Sequence, residues 1–257
     1  MGVIDRGTGV PLVLIPGIQG RWEYLGPAVD ALAASFRVLT SSDFTDDDEQ
    51  IQRALDDRHI DRAVICGVSL GGLIALQWAA AHPDRTAALI LVSTPGPDFR
   101  LLKRHRLYAR APWFGGILFF AESPLRLGPE IRVALPGLRN RFRFTAWQLR
   151  TLLTAPLSVT KMARRAAIIE RLDRTAAALR VSAPTLIVTG EPRLDRVVSA
   201  AGTQQYSQLI SGAHTAVVDG TGHLGSITKP QVFAGLVGDF VRATQQPSKA
   251  CVQGRAS

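Results

Sequence analysis

Ser69 stands in Gly67-Val68-Ser69-Leu70-Gly71, after the apolar run Ala63-Val64-Ile65-Cys66 and before a helix-forming stretch that opens at Leu73. Strand, Gly-x-Ser-x-Gly, helix is the order in which this pattern makes a nucleophile elbow. So sharp a turn leaves no room for side chains two residues before and after the serine, and Gly67 and Gly71 meet that demand. It also lifts the hydroxyl above the sheet edge and sets the next backbone N–H at a helix N-terminus, where negative charge is favoured. The chemistry this suits is attack of a hydroxyl on a carbonyl.

A serine hydroxyl does that at neutral pH only when a positioned base takes its proton. Among five histidines, His223 is the candidate. It follows the predicted strand Thr215–Val218 in Asp-Gly-Thr-Gly-His-Leu-Gly, a glycine-rich loop at the sheet edge that also carries Ser69. His82 closes the helix after the elbow, where a cation suits the helix dipole. His59 and His214 fall at strand entrances on the opposite edge, and for His105, in a basic stretch, a solvated role is the simpler reading. The imidazole in turn needs a carboxylate to hold its tautomer. The loop after Thr185–Val188 reads Thr-Gly-Glu-Pro-Arg-Leu-Asp-Arg, and Asp195 is the first choice there because it precedes Val197-Val198 and the next helix. Glu191 and Asp98 stay open as alternatives.

Acyl transfer also needs donors aimed at the developing oxyanion. One is the backbone N–H of Leu70. The second falls in Pro16-Gly17-Ile18-Gln19-Gly20, where Gly17 allows a bend that presents the Ile18 N–H, with Gln19 the lesser choice.

The elements that must position these groups are short and apolar. Pro11–Ile15, Phe36–Thr40, Ala63–Cys66, Ala88–Val92, Thr185–Val188 and Thr215–Val218 are continuous apolar runs, as in strands covered on both faces. Helical patterns alternate with them: Trp22–Ser35, Asp47–Asp57, Leu73–His82, Ser199–Ile210 and Pro230–Ala243. That alternation predicts an α/β fold with a doubly wound, mostly parallel sheet. It breaks between Thr94 and Arg180, where helical runs punctuated by Pro and Gly carry no strand pattern. The expected organisation is a core of residues 1–94 and 181–246, a helical insertion over 95–180, and an aperiodic, disordered tail over 247–257.

At 257 residues the chain can build one large core, and 46% hydrophobic content is that of a globular protein. The N-terminal residues lack the basic and apolar regions of a secretory signal. Cys66 in a predicted buried strand and Cys251 in the tail make no disulfide framework, so a cytoplasmic location is expected. The net charge of +9 is uneven: residues 95–180 hold 17 Lys or Arg against 5 Asp or Glu. Such a segment could steer an anionic substrate or rest on an anionic membrane surface, with a solvated face the simpler reading. No nucleic-acid-binding motif accompanies the charge, so a nucleic-acid partner is not expected. Trp113, Phe114, Phe119, Phe120 and Trp147 line an apolar acyl pocket if they face inward, beside Gln19; as core of the insertion they need no ligand.

From Pro11 to Ala243 the chain resembles the α/β-hydrolase superfamily. The resemblance rests on Gly67-Val68-Ser69-Leu70-Gly71-Gly72, Gly222-His223, Ala183-Pro184-Thr185-Leu186-Ile187-Val188-Thr189-Gly190, and His82-Pro83-Asp84-Arg85 leading into Ala88–Val92. It implies a serine nucleophile at Ser69, a base at His223, an acid at Asp195 and oxyanion donors at Ile18 and Leu70. It further implies that the insertion is a helical cap over the substrate pocket, and that esters, thioesters or lactones are cleaved without a cofactor. Serine at the elbow sets the chain apart from dehalogenases and epoxide hydrolases of this fold, which carry Asp there. Several features depart from the family pattern. Pro16-Gly17 replaces a His-Gly pair, Ser42-Asp43-Phe44-Thr45-Asp46-Asp47-Asp48 replaces a glycine-rich loop and could widen the pocket mouth, Gly190 to Asp195 is long, and the leading antiparallel hairpin is curtailed or missing. Apolar residues beside arginines suggest a small acyl substrate with an apolar body and an acidic group. An acyltransferase of the same fold, or a low-turnover binding or signalling protein that keeps the three side chains, are the alternatives.

Overall fold

The computed structural model describes residues 2–45 and 49–245. Strands β1 (Ile4–Arg6), β2 (Val10–Ile15), β3 (Phe36–Thr40), β4 (Ala63–Val68), β5 (Thr86–Val92), β6 (Thr185–Thr189) and β7 (His214–Val217) form one sheet in the order β1-β3-β2-β4-β5-β6-β7. Every neighbouring pair is parallel except β1 with β3. The doubly wound, mostly parallel α/β sheet expected from the alternation is therefore present. The shortened leading element is β1, three residues long and held at the edge where Arg37 (2.7 Å) and Arg58 (3.1 Å) both pair with Asp5.

The central strands β2, β4, β5 and β6 read as largely apolar runs because successive residues go to opposite covered faces, whereas β7, expected to be covered twice, is an edge strand with His214, Thr215 and Val217 exposed. Val13, Ile15, Leu39, Ile65, Leu89, Leu91 and Ile187 join one buried cluster, while Leu12, Leu14, Val38, Val64, Cys66, Ile90 and Val188 join the other. Over the first face lie α2 (Glu49–Asp56), α3 (Leu70–Ala81), α9 (Arg174–Leu179) and α11 (Tyr206–Leu209), contributing Ile51, Leu55, Trp78 and Tyr206. Over the second lie α1 (Gly26–Leu32) and α13 (Pro230–Gln245), contributing Val29, Leu32, Phe233 and Val237. The predicted helix over 199–210 divides into α10 (Ala200–Gln204) and α11, and α12 (Gly225–Thr228) precedes α13. The loop after β3 does not open outward over its described part: Phe44 is fully buried and Ser41, Ser42 and Thr45 are buried with it. Residues 46–48, the tail over 247–257 and Cys251 lie outside the described residues.

Between β5 and β6 the chain is helical: α4 (Lys103–Arg110), α5 (Pro112–Ala121), α6 (Ser123–Ala134), α7 (Leu138–Thr154), α8 (Val159–Arg171) and α9. Both ends of this segment are tied together by Arg174, which donates to the carbonyls of Pro97, Phe99 and Ile169. Helix α8 packs on α3, α7 crosses the 3-10 turn Trp22–Leu25, and α6 meets α12. Among the described residues no helix is long and apolar enough to cross a membrane.

Phe233 is fully buried and anchors α13 on the sheet. Phe233→Ala is predicted to lower unfolding free energy by about 3–5 kcal/mol in urea titrations. A loss under about 1 kcal/mol would mean that this face holds together without it.

Candidate active site

The strand order reverses about β2 and β4, since β2 is followed outward by β3 on one side and by β4 on the other. In an open parallel sheet such a switch point leaves a crevice beyond the carboxyl ends of the strands. Ile15 pairs with Gly67 across these two strands, so the loop after Ile15 and the elbow after Val68 leave the sheet side by side.

Ser69 alone makes the turn from β4 to α3, with φ 56° and ψ −121°. Holding a non-glycine residue there costs about 1–3 kcal/mol. The turn is fixed by the Ser69 N–H, which donates to the Val92 carbonyl at 2.7 Å, and by the Gly72 N–H, which donates to the Ser69 carbonyl at 2.9 Å. A Cβ on Gly67 would lie 2.2 Å from the Gly71 oxygen, and one on Gly71 would lie 2.3 Å from the Ile15 oxygen. Both glycines are thus required by backbone approach.

The Pro16–Gly20 loop closes with the Gly20 N–H donating to the Gly17 carbonyl at 2.8 Å. It lies on the elbow: a Cβ at Gly17 would stand 3.4 Å from that of Ser69. Ile18 is half-buried against Leu70, Leu73 and Ile169, and Gln19 is exposed. From α8, the buried Arg165 donates to the carbonyls of Gln19 (2.9 Å) and Ile18 (3.4 Å). Its guanidinium carbon occupies the space beside Gly20, 2.0 Å from where a Cβ would be.

His223 follows β7 on a loop that rests on the loop after β6. A Cβ at Gly190 would fall 2.3 Å from the Gly222 oxygen, and one at Gly222 would fall 2.6 Å from the Leu194 oxygen. The long spacing from Gly190 to Asp195 is taken up by a turn in which the Leu194 and Asp195 N–H groups both donate to the Glu191 carbonyl. That turn aims Asp195 at the histidine, with Oδ2 3.3 Å from His223 Nδ1, while Oδ1 accepts the N–H groups of Val197 and Val198 at 2.9 Å each. Histidine–carboxylate contacts in unliganded sites commonly run this long.

Burial acts to raise the Asp195 carboxyl, but the imidazole and the two N–H donors outweigh it and hold the group below its ordinary value. Burial acts to lower His223, yet the carboxylates of Asp195 and Glu130 prevail over it and over Arg126, and the imidazole is held above its ordinary value. Of the two alternatives to Asp195, one is engaged elsewhere and the other is open to solvent. Glu191 accepts the Gly220 N–H at 2.6 Å and pairs with Arg193, and Asp98 is exposed.

Two residues of this site carried no signal in the sequence. Arg165 is one of many arginines in its stretch, and Glu130 sits in a helix whose pattern gives it no distinction. Yet Glu130 is fully buried, and its Oε1 accepts the N–H groups of Gly222 and Leu224 at 2.7 Å each. Other expectations need correction. Trp113 and Phe114 are 77% and 70% exposed, so they do not face inward. Helix α5 turns glycine toward α8, where a Cβ on Gly116 would sit 2.5 Å from Val159, and its first-turn aromatics are left facing outward. Trp147 is half-buried on the core side of α7, its ring 5.6 Å from that of Phe144 and tilted by 53° to it. His105 is not a solvated side chain, standing 3.7 Å from Glu122 at 17% exposure. His82 stacks on Trp78 at 4.1 Å. The side chains of Phe119 and Phe120 lie outside the described residues. Among the described residues no cluster of three or more His, Cys, Asp or Glu could hold a metal ion.

Residues 11–230 match the family model of the alpha/beta hydrolase fold. The chain is 31% identical over 194 residues to a pimeloyl-[acyl-carrier protein] methyl ester esterase of Aromatoleum aromaticum, covering 71% of this chain and 75% of that protein. It is 25% identical over 268 residues to a putative carbamate hydrolase of Rhizobium rhizogenes, covering 95% and 97% of the two. In three dimensions it is similar to an enol-lactonase of Burkholderia xenovorans LB400, with a TM-score of 0.73, 21% identity, and 94% and 96% of the two chains covered. A sheet with this switch point, a strained serine at its edge and a family match over most of the length lead to one conclusion: the chain belongs to the α/β-hydrolase fold family and is a serine hydrolase.

Proposed function

We propose that this hydrolase cleaves a carboxylic ester, thioester or lactone through an acyl-enzyme on Ser69. The observation that carries the reading is the Ser69 backbone, a non-glycine residue held at positive φ at the switch point, a conformation that costs a side-chain-bearing residue about 1–3 kcal/mol. In the proposed cycle His223 Nε2 takes the Ser69 proton as Oγ attacks the carbonyl carbon, and Nδ1–H donates to Asp195 throughout. The tetrahedral oxyanion is met by the N–H groups of Leu70 and Ile18. Collapse expels the alcohol or thiol with the proton from His223, which then activates water to release the acid. The helical segment 95–180 is the cap of the pocket, and through Arg165 it also holds the oxyanion loop.

The acyl body we propose is apolar and carries an acidic group, or is presented on an acidic carrier. In favour stand the excess of arginine over residues 95–180 and an outward stripe of Leu138, Phe142, Leu149 and Leu153 along α7, flanked by the exposed Arg139, Arg143 and Arg150. The esterase relative of A. aromaticum is named for a carrier-bound substrate.

A fluorophosphonate probe is predicted to label the wild type on Ser69 and to leave Ser69→Ala unlabelled, read by peptide mass spectrometry; active wild type that stays unlabelled would rule out a serine nucleophile. The base is competent only when neutral, and its pKa is raised, so the labelling rate should climb with pH through a midpoint above about 6.5. Asp195→Asn should slow labelling by about 10⁴-fold and lower that midpoint. Turnover of one acyl methyl ester should rise from a neutral to a terminal-carboxylate form, and rise again when the acyl chain is carried on acyl carrier protein. Equal rates on all three would remove the acidic group and the carrier from the proposal.

A further inference from the structure

Glu130 is fully buried, and its single well-used oxygen receives the two backbone N–H groups on either side of His223. Its other oxygen, Oε2, is buried without a hydrogen-bond partner among the described residues. A carboxyl group is a costly way to satisfy two amides when a neutral acceptor would serve, because burial penalises the charged form. Burial does push this carboxyl above the usual carboxylate range, against the pull of the two N–H donors. Stability alone therefore gives no reason for the residue.

Its place in the fold gives one. The rest of the His223 loop is held by groups of the α/β core: Glu191 takes the Gly220 N–H, Thr221 donates to the Val218 carbonyl, and Lys229 donates to the Asp219 carbonyl. Glu130 comes instead from α6, in the segment proposed above as the cap, 92 residues before Gly222. We propose that Glu130 is a positioning residue for His223, through which seating of the cap on the core sets the catalytic base. With α6 seated, Oε1 clamps the Gly222 and Leu224 amides and fixes the peptide planes on both sides of the imidazole. With α6 lifted, both donors lose their acceptor and only Asp195 restrains the ring. Opening for substrate entry and disarming of the base become one motion.

Glu130 also adds a charge beside the imidazole. The groups that face or brace His223 are Asp195 from the loop after β6, Glu130 and Arg126 from α6, the Glu191–Arg193 pair at the foot of the loop, and Lys229 at the end of α12. Of these, Asp195 and Glu130 favour the protonated ring and Arg126 opposes it.

The inference rests on the reading of Ser69 and His223 as nucleophile and base, and the test separates the two. Fluorophosphonate labelling rates are measured against pH for the full chain as wild type, Ser69→Ala, Glu130→Gln and Glu130→Ala, with a thermal melt for each. The Gln variant keeps an acceptor oxygen for both amides. It should keep most of the wild-type rate at high pH, while the midpoint of its profile moves to lower pH because a negative charge has left the imidazole. The Ala variant, folded, should label about 10- to 100-fold more slowly at every pH. A folded Glu130→Ala protein that labels as fast as wild type overturns the proposal. Should that variant fail to fold, a Glu130→Gln profile superimposed on that of the wild type overturns it equally. Wild type left unlabelled at Ser69 defeats the serine–histidine reading, and this inference with it.

Discussion

No methyl group fits between Gly71 and the carbonyl of Ile15, or between Gly67 and the carbonyl of Gly71. That backbone-on-backbone contact is the constraint from which the site follows. It seats the first turn of α3 against the end of β2, so the chain leaving β4 has one residue in which to reverse. The residue is Ser69, and its positive φ is the geometric result. The same contact sets the Pro16–Gly20 loop against the elbow, with Gly17 beside the Ser69 side chain. Strain of about 1–3 kcal/mol persists here because strands buried on both faces over-determine it.

Close approach recurs where the Asp195 and His223 loops meet. Gly190 and Gly222 let two loops from neighbouring strands lie on one another, and Asp195 and His223 project from that contact. The carboxylate spends its oxygens on different tasks. One is locked by the Val197 and Val198 amides, which fixes the direction of the other toward the imidazole. A buried anion so restrained stays ionised, and in turn keeps the ring protonatable.

The helical segment between β5 and β6 touches the Pro16–Gly20 loop and the His223 loop with groups of matching sign. Arg165, a cation, holds the carbonyl oxygens of Ile18 and Gln19, and Glu130, an acid, holds the amide hydrogens of Gly222 and Leu224. The first grip fixes two peptide planes of the Pro16–Gly20 loop, and the second fixes the planes on both sides of His223. One helical segment therefore braces two loops of the α/β core.

Local order along the chain was legible because its causes are local. Phe36, Val38 and Leu39 are apolar because both faces of the strand are covered there, and the segment forms β3 over the residues expected, Phe36–Thr40. Gly67, Ser69 and Gly71 announce the elbow because only glycine tolerates so near a carbonyl. The edge strand β1 escaped notice: three residues pinned by Asp5 to Arg37 and Arg58 have no periodicity to read. The outward turn of Trp113 and Phe114 depends on how near α5 comes to α8, which helix pattern alone does not encode. Sequence determined which strands are buried, where the chain reverses and which residue types stand at the sheet edge, since each of these is a steric or solvation demand on neighbours along the chain. Only the tertiary structure decided that Asp195 rather than Glu191 or Asp98 faces His223, and that Glu130 and Arg165 grip the loops. Contacts between segments tens of residues apart are set by packing geometry and leave no spacing rule behind in the chain.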